Sequence, residues 1–215
     1  MLKYEILPVT PFMQNCSVIW CSETLEAAVI DPGGEVERIQ GLIEKLGVNV
    51  TKILLTHGHL DHVGGTAQLK ELLGVSVVGP HKDDLFWIEM LDRQSQMMNF
   101  PIVPAFKPDQ WLENGDTIPL GKLQLEVLLC PGHTPGHIVL FERGSKLAFV
   151  GDVLFNGSIG RTDFPRGDHA ALINAIKTQL WPLGRDVTFV PGHGPISTFG
   201  QERLHNPYVR DAVSS

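Results

Sequence analysis

Cysteine is scarce in this 215-residue chain, limited to Cys16, Cys21 and Cys130. So small and odd a number excludes a disulfide framework and fits a reducing compartment, so a cytoplasmic location is expected. Long apolar runs are missing as well. The longest are strand-sized, far short of the ~20 residues of a membrane-spanning helix, and no membrane partner is expected. Glu5, Pro8, Pro11, Gln14 and Asn15 interrupt the opening stretch, which breaks the pattern of a secretory leader. Positive charge is in deficit: 17 Lys and Arg stand against 24 Asp and Glu, for a net charge of −7. With no basic stripe, nucleic acid is not an expected partner either. What remains is 43% hydrophobic and 19% charged, a composition that rules out a disordered chain. Glycine and proline, in contrast, are plentiful and gather beside histidines and aspartates.

Short apolar strands alternate with amphipathic helices. Strands are expected at 3–7, 16–21, 27–31, 52–56, 75–79, 123–130, 138–142, 146–150 and 187–190, each aliphatic or β-branched and bounded by turn formers. Helices are expected at 35–46, 61–73, 82–94 and 168–180. In the first, Val36, Ile39, Ile43 and Leu46 share a face; in the last, Asp168 is the N-cap and Pro182 with Gly184 end it. The two halves follow a similar order, which suggests a duplicated β-rich unit with helices outside. The proline-rich stretch 99–108 would connect them.

The chemistry concentrates in Thr56-His57-Gly58-His59-Leu60-Asp61-His62, directly after a strand and at the opening of a helix. His57 and His59 can point the same way from a turn, Asp61 and His62 project from the helix start, and Gly64 and Gly65 allow close backbone approach. Three further strand ends repeat the logic: Cys-Pro-Gly-His133, Val-Gly-Asp152 and Val-Pro-Gly-His193. Five imidazoles and two carboxylates exceed the needs of one catalytic zinc, which takes about three protein ligands. They suit two metals: His57, His59 and His133 on one, Asp61, His62 and His193 on the other, with Asp152 bridging. Without a thiolate, the set suits zinc, iron or manganese.

The HxHxDH string with the later His, Asp and His resembles the metallo-β-lactamase-fold superfamily over nearly the whole chain. That resemblance implies an α+β fold, an αβ/βα four-layer sandwich of two β-sheets flanked by helices, with two divalent metals per chain, zinc foremost, at one sheet edge. Asp31, in Val-Ile-Asp-Pro-Gly-Gly, matches an aspartate that supports the metal loop; the alternative is an ordinary turn aspartate. The segment 155–165 resembles the glutathione-thioester and glutathione-persulfide branches. Arg161 matches a cation that contacts glutathione, or else is a surface arginine paired with Asp163.

Pro191-Gly-His-Gly-Pro195, Glu202 and Asn206-Pro207 resemble the short bacterial hydroxyacylglutathione hydrolases, the type II glyoxalase II group. One domain over 1–215 is then expected, without the C-terminal helical glutathione-binding domain of the long forms. The implied reaction is hydrolysis of glutathione thioesters, S-D-lactoylglutathione to D-lactate and glutathione, by water activated between the metals, with Asp61 orienting the nucleophile. A persulfide dioxygenase with one iron on His57, His133 and Asp152 is the competing expectation. Cys130 reads as a buried strand-end residue, His137 as a loop brace, and Phe155 and Phe164 as core or pocket wall. His81, His169 and His205 read as structural or surface residues, and Trp20, Trp87, Trp111 and Trp181 as packing residues.

Overall fold

Residues 1–212 are described by the computed structural model. The strands are β1 (Leu2–Val9), β2 (Gln14–Cys21), β3 (Glu26–Ile30), β4 (Asn49–Leu54), β5 (Ser76–Val78), β6 (Thr117–Leu120), β7 (Leu123–Leu129), β8 (Ile138–Glu142), β9 (Leu147–Gly151), β10 (Leu154–Phe155), β11 (Ser158–Ile159), β12 (Thr188–Pro191) and β13 (Ser197–Thr198). One sheet has the order β1-β2-β3-β4-β5; the other has β13-β12-β9-β8-β7-β6, and β10 with β11 forms a separate hairpin. In the first sheet β1, β2 and β3 are antiparallel, whereas β3, β4 and β5 run parallel.

Alternation along the strands builds the layers. Ile19, Ala28, Ile30, Leu54 and Val78 face Leu125, Val127, Leu140, Phe149 and Val190 between the two sheets. Their neighbours Val18, Val29, Ile53 and Val77 point the opposite way. There they meet α1 (Val36–Leu46), α2 (Leu60–Val63), α3 (Thr66–Leu73), α4 (Leu85–Glu89) and α5 (Leu91–Met97), through Ile39, Ile43, Leu69, Ile88 and Leu91. On the far side Val139, Phe141, Ala148, Val150 and Phe189 pack on α6 (His169–Ala175) and α7 (Phe199–His205) through Leu172 and Phe199. The result is the helix–sheet–sheet–helix sandwich of an α+β fold. Sheets buried on both faces account for strands that read as nearly continuous apolar runs.

Most strands match their expected ranges within a few residues. β6 was not expected; Pro119 disguises it, and β6 is an edge strand, where proline is tolerated. The expected helix 61–73 is two helices, broken at Gly64 and Gly65. A Cβ on Gly64 would lie 2.6 Å from the Gly33 carbonyl oxygen, and one on Gly65 2.8 Å from that of Pro32. The Gly65 amide donates to this Pro32 oxygen at 2.8 Å, so the 31–34 loop is clamped against the helix start. The expected helix 82–94 is a tight turn at Lys82–Asp84 followed by α4 and α5, interrupted at Met90. The expected helix 168–180 keeps regular α geometry to Ala175 and continues as a wider turn over Ile176–Leu180.

Asp168 does cap α6: its carboxylate accepts from the Ala171 amide at 2.9 Å. Asp168→Ala should therefore cost about 1 kcal/mol, a fall of about 2–4 °C in Tm for a chain of this size, read by thermal melting.

Cys16, Cys21 and Cys130 are all free and buried. No helix among the described residues is long and apolar enough to cross a membrane. The loops that follow β4, β7, β9 and β12 meet at one edge of the sandwich, bringing His57, His133, Asp152 and His193 together.

Candidate metal centre

Three imidazoles converge first. His59 Nδ1 is 3.1 Å from His57 Nε2 and 3.0 Å from His133 Nε2. The outer ring nitrogens set the tautomers. The Thr56 hydroxyl donates to Asp31 at 2.6 Å, so its oxygen accepts from the His57 Nδ1–H at 3.0 Å. The His133 Nδ1–H donates to the Arg161 carbonyl at 2.8 Å. Both Nε2 atoms are thereby left as lone pairs aimed at His59. Burial drives the pKa of His57 and His59 well below the ordinary histidine value and lowers that of His133, so all three are neutral near pH 7. A proton on His59 Nδ1 could serve only one of these two acceptors at a time and His59 Nε2 has no partner, so the three neutral rings have no complete hydrogen-bond solution. A cation seated among them would satisfy all three.

A second group lies beside it. Asp61 Oδ2 is 3.1 Å from His193 Nε2 and 3.9 Å from His62 Nε2. The His193 Nδ1–H donates to the Phe12 carbonyl at 3.1 Å and the His62 Nδ1–H to Asp31 at 2.9 Å, so both rings turn Nε2 inward. Asp152 spans the two groups. Its Oδ1 is 3.3 Å from His62 Nε2, while its Oδ2 is 3.5 Å from His133 Nε2 and 3.7 Å from His193 Nε2. Nevertheless His62 Nε2 and Asp152 Oδ1 are buried and make no hydrogen bond. With its proton on Nδ1, neutral His62 presents a lone pair at Nε2, and two orphaned acceptors at this range fit ligands of a shared ion better than partners of one another.

Electrostatics agree. Burial opposes charge on His62, but Asp152 and Asp61 outweigh it and raise its pKa well above the usual value. Burial likewise opposes ionisation of Asp152, and His62 outweighs it, holding the carboxyl far below the carboxylate range. Asp61 is also lowered against its burial, by His62 and His193. The two buried carboxylates thus draw positive charge into the site, a proton on His62 or, in its place, a metal cation.

Neighbouring residues hold this arrangement. Asp31 accepts from the Thr56 amide at 2.7 Å, besides the Thr56 hydroxyl and His62, and so ties the loop of His57 and His59 to the start of α2. His137 stacks on His57, with ring centroids 4.6 Å apart, and its Nε2 accepts from the Asp152 amide at 3.0 Å. Three contributors escaped the sequence reading. Buried Asp84 accepts from the Gly58 amide (2.8 Å), the Thr134 hydroxyl (2.7 Å) and the Gly136 amide (2.6 Å), joining the loops of His59 and His133. Buried Gln94 accepts from the Leu60 amide at 3.0 Å and donates to the Trp87 carbonyl at 2.8 Å. Asn15 donates its side-chain amide to the carbonyls of Pro191 (3.0 Å) and Gly194 (2.9 Å), clasping the His193 loop.

A cavity of about 460 Å³ opens over the cluster. His59, Asp61, His133, Asp152 and His193 line its floor. Phe12, Met98, Phe155, Ile159 and Phe164 form apolar walls, so both phenylalanines singled out after Asp152 face the cavity. Arg161 is at the rim, and both alternatives drawn for it coexist. It lines the cavity, and it also pairs with Asp163 through Nε at 2.7 Å and Nη2 at 2.6 Å.

Residues 9–193 match the family model of the metallo-beta-lactamase superfamily. The chain is 50% identical to hydroxyacylglutathione hydrolase GloC of Haemophilus influenzae, over 97% of this chain and 98% of that protein. It is 32% identical to the human mitochondrial persulfide dioxygenase ETHE1, over 86% of this chain and 67% of that one. Among solved structures, TTHA1623 in a di-iron-bound form superposes with a TM-score of 0.87 at 35% identity, over 95% of this chain and 100% of that chain.

Proposed function

The chain belongs to the metallo-beta-lactamase superfamily, and on that premise we propose that it is a metal-dependent hydrolase of glutathione thioesters, acting on S-D-lactoylglutathione to release D-lactate and glutathione. The observation that carries this reading is the complete second donor set of Asp61, His62 and His193, with Asp152 straddling both groups. A one-iron dioxygenase has no use for that set. The 50% identity to a hydroxyacylglutathione hydrolase over nearly the full chain supports the same choice.

In this proposal His57, His59 and His133 would hold one divalent ion and Asp61, His62 and His193 the other, with Asp152 within reach of both groups. We take zinc as the metal; the nitrogen and oxygen donors also accommodate iron or manganese. Bound there, the two ions supply an activated water near neutral pH and polarise the thioester carbonyl. Asp61 lines the cavity floor and orients the attacking oxygen. Asp31 and the Phe12 carbonyl fix the His62 and His193 rings so that neither rotates during turnover. The walls exclude bulk water. The leaving thiolate has a reference pKa of ~8.5, so it departs without a strong protein acid. Arg161 at the rim faces the glutathione half, where its free edge meets a peptide carbonyl. Removal of methylglyoxal-derived thioester in the cytoplasm is the corresponding role.

The test is thioester hydrolysis by the purified, metal-analysed protein on S-D-lactoylglutathione, alongside oxygen uptake on glutathione persulfide. Turnover of the thioester with two metals per chain is expected. One iron per chain, oxygen consumption and no thioester turnover would assign the dioxygenase reaction instead.

A further inference from the structure

We propose that Asp163 is a specificity-determining residue: by occupying Arg161 it keeps the cavity from reading the carboxylates of its substrate, so that recognition falls on the thioester and its apolar surroundings. This rests on the thioesterase reading above.

Above the metal-binding floor, the cavity is poor in side-chain charge that could meet the carboxylates of a ligand. Arg161 is the one cationic side chain among its lining residues. Glutathione carries two carboxylates, and the guanidinium that could meet them is already engaged. Its Nε and Nη2 face the two oxygens of Asp163 in a fork-to-fork pair, and its carbon lies 4.2 Å from the centre of the Phe164 ring. One edge and one face of the planar group are therefore used. Asp163 stays ionised throughout the working range, because hydrogen bonding from Arg161 holds its pKa at about 2.

The pair is also held in place from below. The Arg161 carbonyl accepts a hydrogen bond from His133 Nδ1–H, which anchors the backbone to the histidine cluster. The turn that follows is tight: the Gly167 amide donates to the Phe164 carbonyl at 2.8 Å, and a Cβ on Gly167 would lie 2.3 Å from the Thr162 oxygen. Beyond Arg161 and Ser158, the cavity above its His and Asp floor is Phe12, Met98, Phe155, Ile159 and Phe164. Such walls gain by burying apolar substrate surface and gain nothing from a carboxylate.

Both partners are largely exposed, with 61% and 68% of their side chains accessible, so water screens the pair. A substrate carboxylate thus competes on modest terms, and freeing Arg161 should improve binding several-fold rather than a thousand-fold.

The experiment compares two thioesters with the same acyl group, S-D-lactoylglutathione and S-D-lactoyl-N-acetylcysteamine, whose thiol half is uncharged. In the native enzyme their KM values should agree within about fivefold. Asp163→Asn keeps the side-chain shape and removes the charge. It should lower KM for the glutathione thioester by about three- to fivefold and leave KM for the N-acetylcysteamine thioester unmoved. Adding Arg161→Ala to Asp163→Asn should erase that gain. The proposal is overturned if Asp163→Asn leaves the glutathione KM unchanged or raises it, or shifts both substrates equally. If the metal-loaded native enzyme hydrolyses neither thioester, the thioesterase reading fails and this inference falls with it. Hydrolysis of both without the selective shift removes this inference alone.

Discussion

Asp61→Asn is expected to lower kcat on the thioester by about 10³-fold and to reduce bound metal from two equivalents to about one. Loss of residues that only support a ligand already costs 10- to 100-fold, and a direct donor costs more. The geometry shows why position 61 is sensitive. Its Oδ2 is 3.1 Å from His193 Nε2 at the cavity floor, and both rings of that group are locked through their far nitrogens. An asparagine offers a neutral amide oxygen or an amide N–H donor, and neither replaces an anionic ligand. The fold should be indifferent, because Asp61 belongs to none of the three apolar clusters. Metal analysis, steady-state kinetics and a melting curve on the same preparation check the three parts. Activity within tenfold of the native enzyme, with both metals retained, would remove Asp61 from the ligand set.

The residues of this cluster were legible because His57, His59, His133, Asp152 and His193 follow strand ends beside glycine or proline, and Asp61 with His62 opens the helix that comes next, so each sequence pattern is short and local. His57 to His62 lie within six positions, and the later three are single residues behind recognisable strands. The layers were legible for a related reason, since apolar runs bounded by turn formers announce buried strands whatever their partners are. What escaped depends on contacts across long separations. Asp84 reads as one more acid in Lys-Asp-Asp, yet it reaches loops 26, 50 and 52 positions away. Asn15 acts on carbonyls more than 170 positions later. The Phe12 carbonyl that orients His193 is a backbone group, on which sequence carries no mark. The broken helix at Gly64 and Gly65 is an intermediate case: the glycines signalled close approach, but the approaching partner, the 31–34 loop, was not identifiable from residues 61–73.

Asp84 carries the second large effect. Asp84→Ala should cost about 3 kcal/mol and lower Tm by roughly 10 °C. The substitution strands the Gly58 amide, the Gly136 amide and the Thr134 hydroxyl, each a buried donor whose loss of partner costs about 1–3 kcal/mol. Against this stands the cost of the carboxylate itself. Burial pushes its pKa up to about 6, which makes the charged form about 3 kcal/mol less favourable at pH 7 than in the unfolded chain. The sign of the pH dependence follows. Between the ordinary value of 3.8 and about 6 the folded state holds the proton that the unfolded state releases. Stability contributed by this residue is therefore full below 3.8 and falls as pH rises through 6. Asp84→Asn abolishes the titration while keeping the shape. With chelator present throughout, denaturant midpoints should show the native protein's advantage over Asp84→Asn shrinking from pH 4.5 to pH 7. An advantage that grows over that range would mean the carboxylate is stabilised by its three donors more than burial penalises it. Whatever the sign, the two ligand loops lose their common anchor, and metal affinity in either variant should fall by about 10- to 100-fold, measured by competition with a chelator. Unchanged affinity would show that the His59 and His133 loops are positioned by their own strands alone.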